Sequence, residues 1–134
     1  MIDLLGGLVV EDDAHSLMAV TAIFNELGIK YKRNTTGRRV AEQVHSMHPK
    51  PNFILLSMDL SERDPFAVCQ EIQFDPLLSH IPVIATGSAA CLHLQPKIKA
   101  AGCAGFLLKP LPRKQFGQLL QRILAGEHIW QEAV

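Results

Sequence analysis

What the chain lacks sets the first limits. No stretch approaches the roughly eighteen uninterrupted apolar residues that a membrane-spanning helix needs. The start, Met1-Ile2-Asp3, has no basic flank of the kind a signal peptide carries, so the expected location is cytoplasmic. Cysteine is scarce: Cys69, Cys91 and Cys103 are an odd number without C-x-x-C spacing. That argues against a disulfide framework and against a zinc site, and leaves small buried core residues as the better reading. The six histidines show no metal-ligand spacing and read as surface residues, including His15 beside an acidic turn. No Gly-rich phosphate loop follows the first apolar run; Gly6-Gly7 precede it, which argues against a small-ligand-binding protein. Asp and Glu are absent from Pro76 to Gly126, where Lys97, Lys99, Lys109, Arg113, Lys114 and Arg122 all fall. This basic last third marks either a surface for an acidic partner or an ordinary solvated face. Without interleaved aromatics or a helix-turn-helix pattern, it argues against nucleic-acid binding.

What is present reads as one domain over 1–134. The chain has 134 residues, enough to bury about two thirds of its unfolded surface in a single core. Leu8-Val9-Val10 is an apolar run ending in Glu11-Asp12-Asp13, after which Leu17, Thr21, Phe24 and Leu27 follow at helical spacing up to Gly28. A weak strand near Tyr31 precedes a second helical pattern, with Thr35-Thr36-Gly37 as its start and Val40, Val44 and Met47 as its stripe. Phe53-Ile54-Leu55-Leu56 is apolar without alternation, as expected of a strand covered on both faces. Asp64-Pro65 then supplies an N-cap and a first helical proline. Ile81 to Ala85 makes a fourth strand, Gln95 to Ala101 a short helix, Gly105 to Leu108 a fifth strand and Arg113 to Ala125 an amphipathic final helix. Such alternation calls for a parallel sheet between two layers of helices.

In an open sheet of this kind, ligands sit beyond the carboxyl ends of the strands. Here those ends carry Glu11, Asp12 and Asp13, then Ser57, then Thr86-Gly87-Ser88, then Lys109-Pro110. From Val9-Val10-Glu11-Asp12-Asp13 through Asp64-Pro65-Phe66 and Ile81-Pro82-Val83-Ile84 to Gly105-Phe106-Leu107-Leu108-Lys109-Pro110, the chain resembles the receiver domains of two-component response regulators, including the single-domain chemotaxis type. The resemblance implies a flavodoxin-like, doubly wound α/β fold with a five-stranded parallel sheet of order 2-1-3-4-5. It also implies a reaction. In that family an acidic pair and an aspartate ending strand three bind magnesium, the aspartate accepts a phosphoryl group from a histidine kinase, and a lysine and a Thr or Ser hydroxyl hold the phosphoryl oxygens.

Carried onto this chain, the acidic pair falls on Glu11 and Asp12, the lysine on Lys109 and the aromatic switch residue on Phe106. The acceptor falls on Ser57, whose hydroxyl has no evident neighbouring base, and the hydroxyl position falls on Gly87. Phosphoryl transfer should fail, magnesium binding should be weak or absent, and no other cofactor is implied. Restoring acceptance should take Ser57→Asp and Gly87→Thr together. Asp59 is a conceivable displaced acceptor, but two extended residues are about 6.6 Å of chain and would carry it out of the crevice unless the loop folds back. Lys109 is expected to pair with Glu11 or Asp12 in a structural role, joined to Pro110 by a cis peptide as in family members. Asp13 can equally be the residue that stabilises the first helix. Phe106 is expected to be locked by packing.

The function expected is a pseudo-receiver, a non-enzymatic signalling module that binds protein partners without phosphorylation. The partner would be a histidine kinase, another signalling protein or a second copy, met through the last two helices and strand five with Lys97, Lys99, Arg113, Lys114 and Arg122. The alternative is a phospho-accepting regulator that uses Asp59 or an atypical site with magnesium.

Overall fold

Parallel strands buried on both faces carry no polar alternation, and Phe53–Ser57 and Val83–Gly87 are buried at every position. In the computed structural model, which describes residues 5–132, these are β3 and β4. They are flanked by β1 (Gly6–Val10), β2 (Lys30–Asn34) and β5 (Gly105–Leu108). The helices are α1 (Ala14–Leu27), α2 (Val40–Ser46), α3 (Pro65–Gln73), α4 (Gln95–Ala100) and α5 (Phe116–Leu124), and a 3-10 segment, Ala89–Leu94, leads into α4. Every strand pair is parallel. The outer parts of the 1–134 domain assignment, and the Met1-Ile2-Asp3 start, lie outside the described residues.

The sheet separates two apolar layers. One joins Val40, Val44, Val68, Ile72 and Ile98 of α2, α3 and α4 to the strands and contains Phe106. The other joins Val20, Ile23 and Phe24 of α1 to Phe116, Leu120 and Ile123 of α5. Phe24 sits at its centre, with ring centroids 5.8 Å from Phe53 and 5.6 Å from Phe116. The three cysteines are buried and free, as expected, and the Cys69 and Cys103 sulfurs lie 3.7 Å apart.

Three local readings shift. The second helix begins at Val40, not at Thr35-Thr36-Gly37, because the Asn34 side chain accepts from Gly37 N–H at 2.8 Å and Thr36 N–H at 3.2 Å. Asn side chains compete with helix formation in this way. The last helix begins at Phe116, since Gln115 N–H bonds to Pro112 C=O at 3.1 Å and keeps Arg113 and Lys114 in a preceding turn. The sheet has six strands, in the order β2-β1-β3-β4-β5-β6, where the sequence reading ended at five. The sixth, β6 (Ile129–Trp130), pairs Gly105 with Ile129 and Phe106 with Trp130. An open edge on β5 would leave main-chain groups without partners. The segment after α5 supplies them: Gln131 N–H bonds to Phe106 C=O at 2.9 Å, and the Gln131 side-chain oxygen accepts from Leu108 N–H at 2.8 Å.

Candidate functional site

Parallel register brings the strand ends together. Ser57 pairs with Thr86 across β3 and β4, and Gly87 pairs with Leu108 across β4 and β5. Lys109 follows β5 directly, joined to Pro110 by a cis peptide, and its side chain lies over the ends of β3 and β1. The resulting crevice encloses about 520 Å³ and is lined by Asp13, Asp59, Thr86, Ser88 and Lys109 among others. A larger hollow of about 840 Å³ lies at the opposite end of the strands, beside Gly6, Lys30 and His48, and contains none of the chemically suggestive residues.

Lys109 organises the crevice. Its ammonium lies 2.6 Å from Glu11 Oε1, 2.9 Å from Ser57 Oγ and 3.2 Å from Asp59 Oδ2. A lysine has three N–H donors, and three acceptors surround them here. The Lys109 and Glu11 side chains are only 14% and 3% exposed, so the pair is effectively desolvated, and the extra acceptors offset the cost of burying it. The expected pairing with Glu11 is therefore present, and Asp12 takes a different role. Asp12 Oδ2 accepts from Ser61 N–H at 2.8 Å, Ser61 O–H at 3.0 Å and Glu62 N–H at 3.3 Å, which ties the loop after β3 to the end of β1. Asp13 caps α1 by accepting from Ser16 N–H at 2.8 Å, and that bond holds its carboxyl below the usual aspartate range.

Ser57 is buried and already engaged, accepting from Lys109 and from Asp59 N–H at 3.1 Å. That second bond turns the chain back, which corrects the expectation that Asp59 leaves the crevice. Its carboxylate instead meets Ser88 N–H at 2.9 Å and Ser88 O–H and Cys91 S–H at 3.1 Å each. Partial burial raises the Asp59 carboxyl, but hydrogen bonds from Cys91 and Ser88 and the nearby Lys109 charge outweigh it and hold the group below its ordinary value.

Gly87 has no room to become anything else. A Cβ built there would stand 2.9 Å from Cys91 Cβ, 3.0 Å from Cys91 Sγ and 3.1 Å from Phe106 Cε1. The expectation that Gly87→Thr simply returns a lost hydroxyl therefore needs correcting, because Cys91 and the fully buried Phe106 fill that volume. Cys91 is buried, as its sequence reading has it, but its place at the crevice was not foreseen. Nothing about a cysteine four residues past a strand end signals that it points back into the crevice.

Residues 8–123 match the Response regulator receiver domain family. The chain belongs to that family. Among its relatives, the Polar-differentiation response regulator DivK of Brucella ovis is 25% identical over 117 residues, spanning 87% of this chain and 94% of the relative. The receiver also superposes on chemotaxis response regulator CheY4 of Vibrio cholerae, with TM-score 0.77, 17% identity and coverage of 89% of this chain and 98% of that one. A third similar structure is the receiver domain of sensor histidine kinase PA1611 from Pseudomonas aeruginosa, determined with magnesium coordinated in its cleft. It has TM-score 0.80 and 22% identity, covering 91% of this chain and 98% of that one. At these identities the two structures establish the flavodoxin-like fold alone.

The residues of this receiver do not fit a magnesium ion. Asp12 is spent on the loop, Glu11 faces an ammonium, and Ser57 offers a neutral oxygen where magnesium favours carboxylate. Among the described residues no group of three or more His, Cys, Asp or Glu side chains is placed to hold a metal.

The basic residues expected to form one partner surface are distributed over both layers. Lys97 lies 4.2 Å above the Phe66 ring and Lys99 5.1 Å from the Trp130 ring, beside α4. Arg113 pairs with Glu26 of α1 at 2.8 Å and Arg122 with Glu127, on the α5 side, where Lys114 also lies. The β5 edge between the two groups carries β6.

Proposed function

We propose that this receiver is a phosphorylation-independent signalling module, a pseudo-receiver that binds protein partners and catalyses nothing. The observation that carries this reading is that Lys109 is already engaged: it donates to Ser57 and its ammonium is paired with the Glu11 and Asp59 carboxylates. An incoming phosphoryl group would have to displace one of them, and the residue at the acceptor position, Ser57, has no carboxylate to receive it. The Glu11, Asp12 and Lys109 positions persist as a structural knot joining β1, β5 and the loop after β3. Phe106, fully buried against Gly87 and Cys91, holds one position and keeps the neighbouring face in one state. Partners of this module are a histidine kinase, another signalling protein or a second copy, met in the cytoplasm on the α4 and α5 side, where β6 covers the edge of β5. No helix among the described residues is long and apolar enough to cross a membrane.

A second reading, phospho-acceptance at Asp59, has one observation in its favour, the 3.2 Å approach of that carboxylate to Lys109. Against it, both oxygens of Asp59 are held by donors. Incubation of the full chain with magnesium and acetyl phosphate separates the two readings by intact mass. No gain is expected. A gain of one phosphoryl group that disappears in Asp59→Asn would overturn the proposal in favour of the second reading. Partner binding should be equal with and without the phosphodonor, and should weaken as salt shortens the Debye length below about 10 Å.

A further inference from the structure

The sheet ends differently on its two sides. Beyond β5 lies the two-residue β6, whereas β2 (Lys30–Asn34) closes the other side with β1 as its neighbour and nothing beyond it. Lys30 N–H donates to Leu5 C=O at 3.1 Å and Asn34 C=O accepts from Glu11 N–H at 3.0 Å, so the even-numbered residues of β2 face β1. Alternation along the strand then turns the main-chain groups of Tyr31 and Arg33 outward. Gln43 Nε2 donates to Arg33 C=O at 3.1 Å, which leaves the Tyr31 N–H and C=O and the Arg33 N–H without partners among the described residues. The same strand begins the densest run of positive charge in the chain. Lys30, Lys32, Arg33, Arg38 and Arg39 stand between Glu26 and Glu42 with no acidic residue among them, in a protein whose net charge is zero. Arg39 pairs with Glu42 at 2.7 Å, but the exposed Lys30, Lys32, Arg33 and Arg38 meet no carboxylate among the described residues. Beside the strand, the seven residues of α2 span about 10 Å, against about 16 Å for the five residues of β2. Below the end of that helix opens the hollow of about 840 Å³, lined by Lys30, Tyr31, Lys32, Met47, Pro49 and Pro51 among others.

We propose that the β2 edge is a docking site for an extended acidic segment of a protein partner, which adds to the sheet as a further strand. The outward groups of Tyr31 and Arg33 supply its main-chain bonds, the four cations flank its carboxylates, and the hollow beside Met47, Pro49 and Pro51 takes one apolar side chain. A second copy of this chain does not fit. Pairing β2 with β2 would set Lys30, Lys32 and Arg33 against the same cations, and like charges on paired strands repel. Edge lysines keep identical edges apart, and the charge that does so here is also what attracts an acidic strand. Nucleic acid fits less well, because single strands are held by stacking on aromatic rings. The aromatic ring of β2, Tyr31, is instead turned edge-on to Phe24 with centroids 5.7 Å apart. Four strand spacings, about 19 Å, separate β2 from β5, so the site can be filled while the α4 and α5 side holds another partner. The inference therefore goes beyond the proposed function and does not depend on it.

The test is an amide NMR titration of the full chain with a blocked peptide, Glu-Glu-Ile-Glu-Phe-Glu-Glu, beside its counterpart with lysine in place of glutamate. No phosphodonor is present, so the outcome is independent of the intact-mass experiment. The acidic peptide should shift the Tyr31 and Arg33 amides and slow their hydrogen exchange, with an affinity that falls as salt rises. The lysine peptide should do neither. Lys32→Glu combined with Arg33→Glu should weaken binding about tenfold or more. Arg33→Pro and Arg33→Gln remove the same charge, but the proline also removes the outward N–H, so it should bind about threefold or more weakly than the glutamine variant. No shift at β2, shifts there without slowed exchange, or equal binding by the proline and glutamine variants overturns the proposal. So does a duplex DNA that shifts β2 at lower concentration than the acidic peptide. Should Arg33→Pro fail to fold in a thermal melt, the exchange rates and the charge reversal decide by the same criteria.

Discussion

Replacing Gly87 by threonine tests whether the missing hydroxyl can be returned by one substitution. The new Cβ would lie 2.9 Å from Cys91 Cβ, 3.0 Å from its Sγ and 3.1 Å from Phe106 Cε1. The sulfur can rotate aside, but Cys91 Cβ is fixed to the 3-10 segment, and Phe106 sits on a strand paired on both sides. Something in the main chain must therefore move. Overfilling a packed core costs about 1–3 kcal/mol, and threonine, with two further heavy atoms, belongs toward the upper part of that range. Loss of glycine's freedom in the unfolded chain returns about 0.4–1 kcal/mol. The balance is a net loss of about 1–2 kcal/mol, or roughly 4–8 °C in melting temperature for a domain of this size. Urea unfolding followed by far-ultraviolet circular dichroism reads this as a lower midpoint at unchanged slope. Cys91→Gly in the same chain removes both the Cβ and the sulfur, so the two substitutions together should cost less than the sum of their separate costs, a coupling of about 0.5 kcal/mol or more. A Gly87→Thr protein as stable as wild type, or a double variant that is merely additive, would refute the packing argument.

Three further outcomes are expected. Lys109→Met leaves the buried Glu11 without its counter-charge and should cost about 3–5 kcal/mol in urea unfolding, whereas Glu11→Gln with Lys109→Met should recover most of it; equal costs would mean the pair is not coupled. Gly105→Ala drives a Cβ to within 2.7 Å of the Ile129 main-chain oxygen, which cannot rotate away, so β6 should detach and the emission of Trp130, the single tryptophan, should shift to the red. An unshifted spectrum would show that β6 tolerates the clash. Because Asp59 titrates below the ordinary aspartate value, the unfolded chain binds the extra proton between the two values; the stability it contributes is present above about pH 3.9 and is lost as pH falls through the lower, folded value. Asp59→Asn should therefore lose less stability than wild type in that acidic window, and coincident acid-unfolding curves would contradict this.

Much of the receiver was readable from local pattern. Unbroken apolar runs such as Phe53 to Leu56 identify strands buried on both faces, and Asp13 and Asp64-Pro65 announce helix starts, because these signals act over a few residues of chain. Position along that framework was enough to put Ser57, Gly87 and Lys109 at adjoining strand ends and Phe106 within β5. The direction of each polar side chain was not readable, since its partners are distant in sequence. Lys109 and Ser57 are 52 residues apart, Asp12 and Ser61 are 49, and Asp59 and Cys91 are 32. The short β6 was missed for the same reason: an Ile-Trp pair is too brief for any periodicity, and its pairing exists only because β5 presents an open edge beside it. Periodicity thus determined the strands, helices and order of the site positions. Competition among donors and acceptors brought together by folding decided that Asp12 would tie down a loop, that Asp59 would turn inward, and that Cys91 would fill the space above Gly87.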